Sequence, residues 1–348
     1  MPTNYTPTGR VRTVIGLPND GDQHDAATYN GPLQAIADNA AYARAVAAGN
    51  YTLKQAATGG GGTVSFAAGL THAIPVGGRI EKTLSLGSDI VRSYDGINWT
   101  TEFTPEYAKN AAAYSYPLNL WVAIGEDGIH TSDGSGAWVM RSMPAQYSIR
   151  GIAVGPAGEL VVVGDMTEVE AYVLWSADGV AWAQQASGLD DGLFDVEYGL
   201  GTFVAVGGNS LRPRIIASPD GLSWGETYTV PPLKARLNRV CFNGRVFAAV
   251  STKGEIVVSE TGYSWELRET TYPSGFGNGI AADPVSGAIV ASAGPYGQLA
   301  VSFDDGFTWE RRAVNGPTGI LQWTAVGFAH GRFLLGNQFG DIAVGLRR

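Results

Sequence analysis

The chain of 348 residues contains a single cysteine and few charged residues. With Cys241 alone, neither a disulfide nor a cysteine-based zinc site can form, and we expect its thiol to be buried in an apolar strand. The four histidines fall in unrelated contexts and suggest neither a catalytic triad nor a metal site. They are His24, His72, His130 and His330. We therefore expect no metal and no cofactor.

Positive charge and long apolar runs are also scarce. The formal net charge is −9, and the arginines form only short pairs, so we expect no binding of nucleic acid, which needs a basic face. No run approaches eighteen apolar residues, and the N-terminus lacks a charged segment followed by an apolar core. The sequence thus predicts no membrane span and no signal peptide, for a protein made in a cytoplasm.

Glycine and tryptophan are abundant, at 48 and 9 residues, and hydrophobic residues make up 45% of the chain. Many glycines without a collagen period, together with regularly placed aromatic residues, are typical of an all-β protein with tight turns.

A short motif, Ser-x-Asp-Gly-x-x-Trp, recurs along the chain, and we call each copy a box. Boxes without a gap begin at Ser93, Ser176 and Ser218. Altered copies, with one extra residue or with Thr261 in place of Asp, begin at Thr131, Ser259 and Ser302. The successive tryptophans lie 39, 44, 42, 41 and 44 residues apart. This regularity predicts one structural unit per box.

Each unit reads as four short strands separated by Gly-containing turns, which is typical of a propeller blade. A final unit over residues 323–344 has three strand-like runs and no box. The stretch 62–67 could supply its missing strand and close the ring. The sequence therefore predicts a seven-bladed β-propeller over residues 62–348, with six or eight blades as alternatives because the first unit is irregular.

The boxes resemble the Asp-box, or BNR repeat, of sialidases, photosystem assembly factors and sortilin-type receptors. This resemblance implies that each box forms the turn between the third and fourth strands, where Asp accepts turn amides and Trp packs between sheets. The residues to which it assigns this structural role are Asp95, Asp133, Asp178, Asp220, Asp304, Trp99, Trp138, Trp182, Trp224, Trp265 and Trp309.

A sialidase would contain an Arg-Ile-Pro signature and a catalytic arginine triad. Here Arg79-Ile80 is followed by Glu81, so the signature is not matched. Acidic pairs that could hydrolyse a glycoside are Glu168 with Glu170 and Asp190 with Asp191. We interpret them as solvated loop charges and expect no enzyme. Five tyrosines are assigned to loops between strands, where they could stack on sugars or pack between blades. They are Tyr114, Tyr116, Tyr172, Tyr272 and Tyr296.

Residues 1–61 do not follow the repeat. A helix is predicted over about 32–48, with Pro32 in its first turn and Gly49 after its end, followed by a glycine-rich hinge at 59–62. Such a short helix is not stable alone, so it either docks elsewhere or belongs to a frayed terminus.

The stretch from Pro18 to Ala47 resembles the attachment segments of bacteriophage tail-fibre and baseplate proteins. Its matching residues are Asp20, Asp22, Asn30, Pro32, Leu33, Gln34, Ile36, Asp38 and Tyr42. The resemblance implies a structural protein of the virion, commonly a trimer, anchored to other tail or baseplate proteins. Its propeller would bind the host surface, including its glycans, or neighbouring virion proteins. The alternatives are a sialidase-like glycan hydrolase, a lectin-like surface propeller or an assembly scaffold.

Overall fold

The computed structural model describes residues 12–16, 51–58, 65–73, 79–86, 89–93, 99–107, 109–144, 148–166, 170–209, 212–226, 233, 235–268, 277–293, 298–313, 323–329, 332–337 and 341–347. Over these ranges, all regular structure is β-strand, which confirms the predicted all-β class. The predicted helix over about 32–48 lies outside the described residues.

The strands of the first half form three sheets. Sheet one contains β3 (Ser65–Ala73), β4 (Arg79–Leu86), β5 (Ile90–Ser93) and β6 (Thr100–Phe103). Sheet two contains β7 (Lys109–Ser115), β8 (Leu120–Gly125), β9 (Gly128–Ser132) and β10 (Val139–Arg141). Sheet three contains β11 (Ser148–Val154), β12 (Leu160–Met166), β13 (Glu170–Ser176) and β14 (Ala183–Gln185).

Four further sheets follow. Sheet four contains β15 (Leu193–Gly199), β16 (Thr202–Asn209), β17 (Arg212–Ser218) and β18 (Gly225–Glu226). Sheet five contains β19 (Leu237–Phe242), β20 (Phe247–Ser251), β21 (Ile256–Ser259) and β22 (Glu266–Arg268). Sheet six contains β23 (Gly277–Ala282), β24 (Ile289–Ala293), β25 (Gln298–Ser302) and β26 (Glu310–Ala313). Sheet seven joins both ends of the chain through β27 (Trp323–Ala329), β28 (Arg332–Asn337), β29 (Asp341–Arg347), β2 (Tyr51–Thr58) and β1 (Arg12–Gly16).

Every pairing between neighbouring strands is antiparallel, and sheets one to six are simple meanders of four strands, as predicted for each repeat. The first strands of successive sheets contact one another in the order β3, β7, β11, β15, β19, β23 and β27. Strand β27 in turn contacts β3, so the first strands form a closed ring.

Closure involves a different N-terminal strand from the predicted one. Strand β29 pairs with β2, whereas the predicted closing stretch at 62–67 overlaps β3, the first strand of sheet one. Both stretches contain β-branched and aromatic residues, so the sequence pattern alone did not distinguish the outer strand of the last sheet from the inner strand of the first. Pairing of β2 covers an edge of β29 that would otherwise be open.

The core lies between neighbouring sheets. Between sheets three and four, Val161 and Val163 pack with Leu193, Val196 and Phe203 in one buried cluster. Equivalent clusters join sheets two and three, four and five, five and six, and six and seven. With a further cluster between sheets one and two, sheets two to six bury apolar side chains on both of their faces, which explains the nearly continuous apolar runs of their second strands.

Candidate functional site

The boxes lie between the third and fourth strands of sheets one to six, at the ends of β5, β9, β13, β17, β21 and β25. Because each sheet is a meander, this position is at the opposite end of the ring from the start of the first strands. We call the end where the first strands begin the entrance face, and the other end the box face.

A network of short-range hydrogen bonds fixes the box turns that the structure describes. In the box of sheet four, the Ser218 hydroxyl donates to Asp220 Oδ1 at 3.0 Å and accepts from the Gly221 amide at 2.9 Å. The same Asp220 oxygen accepts the amides of Leu222 and Ser223 at 2.9 and 3.0 Å. Asp220 is thus held within its own turn, and the amides of Ser223 and Leu222 lower its pKa.

The other described boxes repeat this arrangement with small departures. Asp178 accepts the amides of Ala181 and Val180, which lower its pKa. Thr261 takes the place of Asp in sheet five, and its hydroxyl accepts amides at 3.2 and 3.3 Å. Asp304 accepts the amide and the hydroxyl of Thr308 at 2.8 and 2.6 Å.

The box of sheet two departs furthest from the pattern. Asp133 accepts the Ser135 amide at 2.9 Å, and Trp138 Nε1 donates to Glu102 Oε1 of sheet one at 3.2 Å rather than to its own turn. In sheet one, Asp95 lies outside the described residues, while Trp99 is buried.

The box turns also join neighbouring sheets. Gly221 has a φ of 73°, and a Cβ at this position would lie 2.6 Å from Val161 Cγ2 of sheet three. The Tyr263 hydroxyl lies 3.3 Å from Thr202 Oγ1 of sheet four. The guanidinium carbon of Arg268 in sheet five lies 4.7 Å from the centre of the Phe307 ring. These contacts give the described boxes a structural role and leave their aspartates committed to the turns.

The attachment residues predicted from the sequence, Asp20, Asp22, Asn30, Pro32, Leu33, Gln34, Ile36, Asp38 and Tyr42, all lie outside the described residues. The segment that contains them connects β1 to β2, two strands that pair with each other at the edge of sheet seven.

The entrance face carries a repeated feature that the sequence did not reveal. Near its start, the first strand of each of sheets two to seven has a register shift against the second strand, and the skipped residue is a β-bulge. The six bulge residues at this face are Asn110, Arg150, Phe194, Asn238, Asn278 and Thr324, whereas the shift in sheet one, at Thr71, lies near the end of β3. Their residue types differ, so only their repeated position could have identified them.

The described bulge side chains reach towards the next sheet of the ring. Asn110 Nδ2 donates to the Ile149 carbonyl of sheet three at 2.9 Å. Asn238 Nδ2 donates to the Gly277 carbonyl of sheet six at 3.1 Å. The starts of neighbouring first strands are therefore linked at the entrance face.

Three arginines surround Phe194 in this ring. The guanidinium carbons of Arg236 and Arg150 lie 4.0 and 5.4 Å from the centre of its ring. Arg239 Nη1 donates to the Phe194 carbonyl at 3.1 Å and to the Asn238 carbonyl at 2.9 Å. We call Arg150, Arg236 and Arg239 the arginine cluster. It covers Phe194, which is 3% exposed, while the arginines themselves are half-buried.

Carboxylates lie beside and behind the arginine cluster. Arg150 Nε donates to Asp165 Oδ2 at 2.8 Å. Asp195 Oδ2 accepts the Val240 amide at 3.1 Å, and burial raises the pKa of Asp195 although Arg239 favours its charged form. Two residues along β15, burial raises the pKa of Glu197 to about 8.

A buried charged group lies in sheet two. The Lys109 ammonium forms an ion pair with Asp127 and lies 3.0 Å from His130 Nδ1. Burial lowers the pKa of both Lys109 and His130. The Lys109 side chain is fully buried, so this group ties β7 to the turn between β8 and β9.

The predicted acidic residues that the structure describes have different environments. Asp191 is buried and accepts Asn209 Nδ2 at 2.6 Å and Arg214 Nε at 2.7 Å. Asp190 is exposed and pairs with Arg214, and Glu170 is exposed at the start of β13. Glu168 lies outside the described residues.

The tyrosines assigned to loops have different environments. Tyr172 is buried within β13, so its assignment to a loop was wrong. Tyr114 likewise lies in β7, with its ring 5.0 Å from that of Trp121. Tyr116 is 51% exposed in a turn, and Tyr272 and Tyr296 lie outside the described residues.

Two kinds of feature are absent from the described ranges. They contain no group of three or more His, Cys, Asp or Glu side chains placed to hold a metal ion. Nor do they include a helix with the length and apolar character needed to cross a bilayer.

Comparison with known proteins places the fold. No protein-family model and no curated protein sequence matches the chain. Among solved structures, it is similar to a streptogramin B lyase (TM-score 0.68, 12% identity), over 86% of this chain and 98% of the lyase. It is also similar to virginiamycin B lyase from Staphylococcus aureus (TM-score 0.69, 10% identity), over 85% and 99%.

A third similar structure is YCF48 from Cyanidioschyzon merolae, with a TM-score of 0.63 and 12% identity over 84% of this chain and 98% of YCF48. At these identities the similarity concerns the fold alone. Together with the four-stranded antiparallel sheets, it shows that the protein is a β-propeller.

Proposed function

We propose that this protein is a structural component of a bacteriophage tail or baseplate, without enzymatic activity. Its N-terminal segment would attach it to other virion proteins, and a seven-bladed propeller of Asp-box repeats would present its entrance face to the host surface. The seven sheets and the closed ring of first strands support this blade count.

The observation that carries the proposal is the position of the attachment segment in the chain. Residues 17–50 connect β1 to β2, which pair with each other, and β2 pairs with β29. Both ends of the segment therefore start from the outer edge of sheet seven. Because Tyr51 pairs with Arg347 and Gly16 with Thr52, both ends lie at the box-face end of this edge, and attachment there would leave the entrance face available, as a host-binding module requires.

A binding role fits the described carboxylates better than a catalytic one. The box aspartates accept amides of their own turns, and Asp191 is held by Asn209 and Arg214. General acid and base catalysis needs carboxyl groups that can reach a substrate. The lyases with a similar fold are named as enzymes, but their identity to this chain is too low to transfer an activity.

Deletion of the attachment segment tests the proposal. Residues 18–47 are replaced by a short Gly-Ser linker, so that β1 and β2 are retained. We expect the full chain to be a trimer by light scattering and to be found in purified phage particles. The deletion variant should be a monomer with an unchanged melting temperature, and it should be absent from particles.

Three results would contradict the proposal. The first is that both proteins are monomers and neither is found in particles. The second is that the deletion variant is incorporated as well as the full chain. The third is that the full chain releases reducing sugar from host-envelope polysaccharide, which would favour the sialidase-like alternative instead.

A further inference from the structure

We propose that the arginine cluster at the entrance face binds the acidic group of a host-surface glycan, a sugar carboxylate or phosphate. This inference deepens the proposed function, because it names the chemical class that the propeller would bind and the residues that would bind it.

The first argument is convergence. Arg150 comes from the bulge of sheet three, while Arg236 and Arg239 come from the start of sheet five. All three meet at Phe194 of sheet four. Arg150 is paired with Asp165 and Arg239 lies near Asp195, but three guanidinium groups converging on one residue still bring together donors suited to an anion.

The second argument is the donor capacity of Arg239. Its Nη1 atom donates to two backbone carbonyls, those of Phe194 and Asn238. A guanidinium has five N–H donors, and among the described residues only Nη1 of Arg239 makes hydrogen bonds, while its charge also interacts with Asp195. The remaining donors can therefore pair with the two oxygens of a carboxylate or phosphate.

The third argument is rigidity. Phe194 is almost fully buried, and Arg150 is held against it by its bond to Asp165. The bulges fix these side chains on strands rather than on flexible loops. A site that is already ordered loses little entropy when a ligand binds.

The fourth argument concerns the neighbouring polar side chains. Asn110, Asn238 and Asn278 occupy the equivalent bulge positions, and all three are half-buried. Amide side chains both donate and accept, which suits the hydroxyl groups of a sugar. The ring of bulges thus combines anion donors, amides and an aromatic residue at one end of the propeller.

The test measures binding of the full-length protein to soluble polymers by calorimetry. The probes are polygalacturonate, its fully methyl-esterified neutral form, and a poly(glycerol phosphate). We expect binding to one or both anionic polymers, weakening as salt is raised, and none to the neutral ester. The two anionic polymers distinguish a carboxylate from a phosphate.

Variants then locate the site. Arg236→Gln and Arg239→Gln should each weaken binding about tenfold, because each removes a charged hydrogen bond. Arg245→Gln is the matched control, since Arg245 also belongs to sheet five but lies in the turn between β19 and β20 on the box face. It should bind like the wild type.

Three results would overturn the inference. They are equal binding to the neutral ester, an equal loss in Arg245→Gln, and no binding to any of the polymers. If a variant does not fold, competition on the wild-type protein replaces it. Free galacturonate should displace the anionic polymer, and its methyl ester should not. A variant that loses glycan binding but is still incorporated into phage particles would show that glycan binding and attachment are independent, so either proposal can fail without the other.

Discussion

The indole nitrogen of Trp224 donates a hydrogen bond to the carbonyl oxygen of Gly221, 3.0 Å away. The same bond joins the tryptophan and the glycine in the boxes of sheets three, five and six. Each of these boxes thus satisfies the polar atom of its large aromatic residue within its own turn, so the indole can pack without an unpaired donor.

The box glycine should be intolerant of a side chain. We expect Gly221→Ala to lower the free energy of unfolding by about 2–4 kcal/mol, because the residue has positive φ and its Cβ would press on Val161. Gly134→Ala also has positive φ but open space around it, and should cost about 1 kcal/mol. Urea denaturation measures both. Gly225→Ala, with open space, is the control, and equal losses in the first two variants would refute a role for the contact.

Asn243 should be essential to the junction of sheets five and six. It is buried and donates to the Gly287 carbonyl and to Asp305 while accepting the amides of Arg245 and Val246.

We expect Asn243→Ala to lower the free energy of unfolding by about 2–4 kcal/mol, because it leaves buried polar groups without partners. Arg245→Gln removes an exposed ion pair in the same turn and should cost less than about 1 kcal/mol. Thermal and urea denaturation compare the two variants. A larger loss in Arg245→Gln would show that the ion pair, not the amide network, stabilises this turn.

Glu197 should make stability fall as pH rises. Its pKa is raised to about 8 in the folded protein from an ordinary value of 4.5, mainly by burial and also by Asp195. Between these values the folded state holds a proton that the unfolded state has lost, so stability decreases with pH across this window.

The substitution Glu197→Gln should remove this decrease, since a neutral amide does not titrate. We expect the variant to exceed the wild type at pH 8.5 by up to about 3 kcal/mol and to match it near pH 4. Among the described residues, Asp195 is the charged group that acts on Glu197, Arg239 in turn acts on Asp195, and the Cys241 thiol lies nearby. Parallel stability curves for the two proteins from pH 4 to 8.5 would contradict the prediction.

The box aspartates should have the opposite effect at acidic pH. The pKa values of Asp178 and Asp220 lie below the ordinary value of 3.8 because turn amides stabilise the charged form. The stability that these groups contribute is therefore complete above pH 4 and is lost as pH falls through their folded pKa values.

The double variant Asp178→Asn/Asp220→Asn should lose about 1 kcal/mol for each box at pH 7, and less at pH 2. Glu226→Gln, an exposed carboxylate in sheet four, controls for general effects of charge. The measurement is urea denaturation at the two pH values. An equal loss at both would show that the charged form does not matter.

Much of the fold could be predicted from the sequence because strands and turns are determined by residues that are close together in the chain. The box spacing predicted the units, and alternating apolar runs bounded by glycine predicted four strands in each. The final unit was recognised as three strands because its box is missing. Tyr172 was wrongly assigned to a loop, whereas it lies in β13 and packs in the buried core.

The candidate site was not predictable in the same way. Its residues are an arginine, a phenylalanine and asparagines at equivalent positions, so no shared residue type marks them. Arg236 and Arg150 are far apart in sequence and meet only because sheets three, four and five are neighbours in the ring.

The sequence by itself determined the all-β class, the repeating unit and the position of the box turns, because strands and tight turns depend on residues close in the chain. The tertiary structure decided which strand closes the ring and which side chains meet at the entrance face. Closure pairs β2 with β29, from opposite ends of the chain. Such contacts depend on the geometry of the completed ring, which no local pattern encodes.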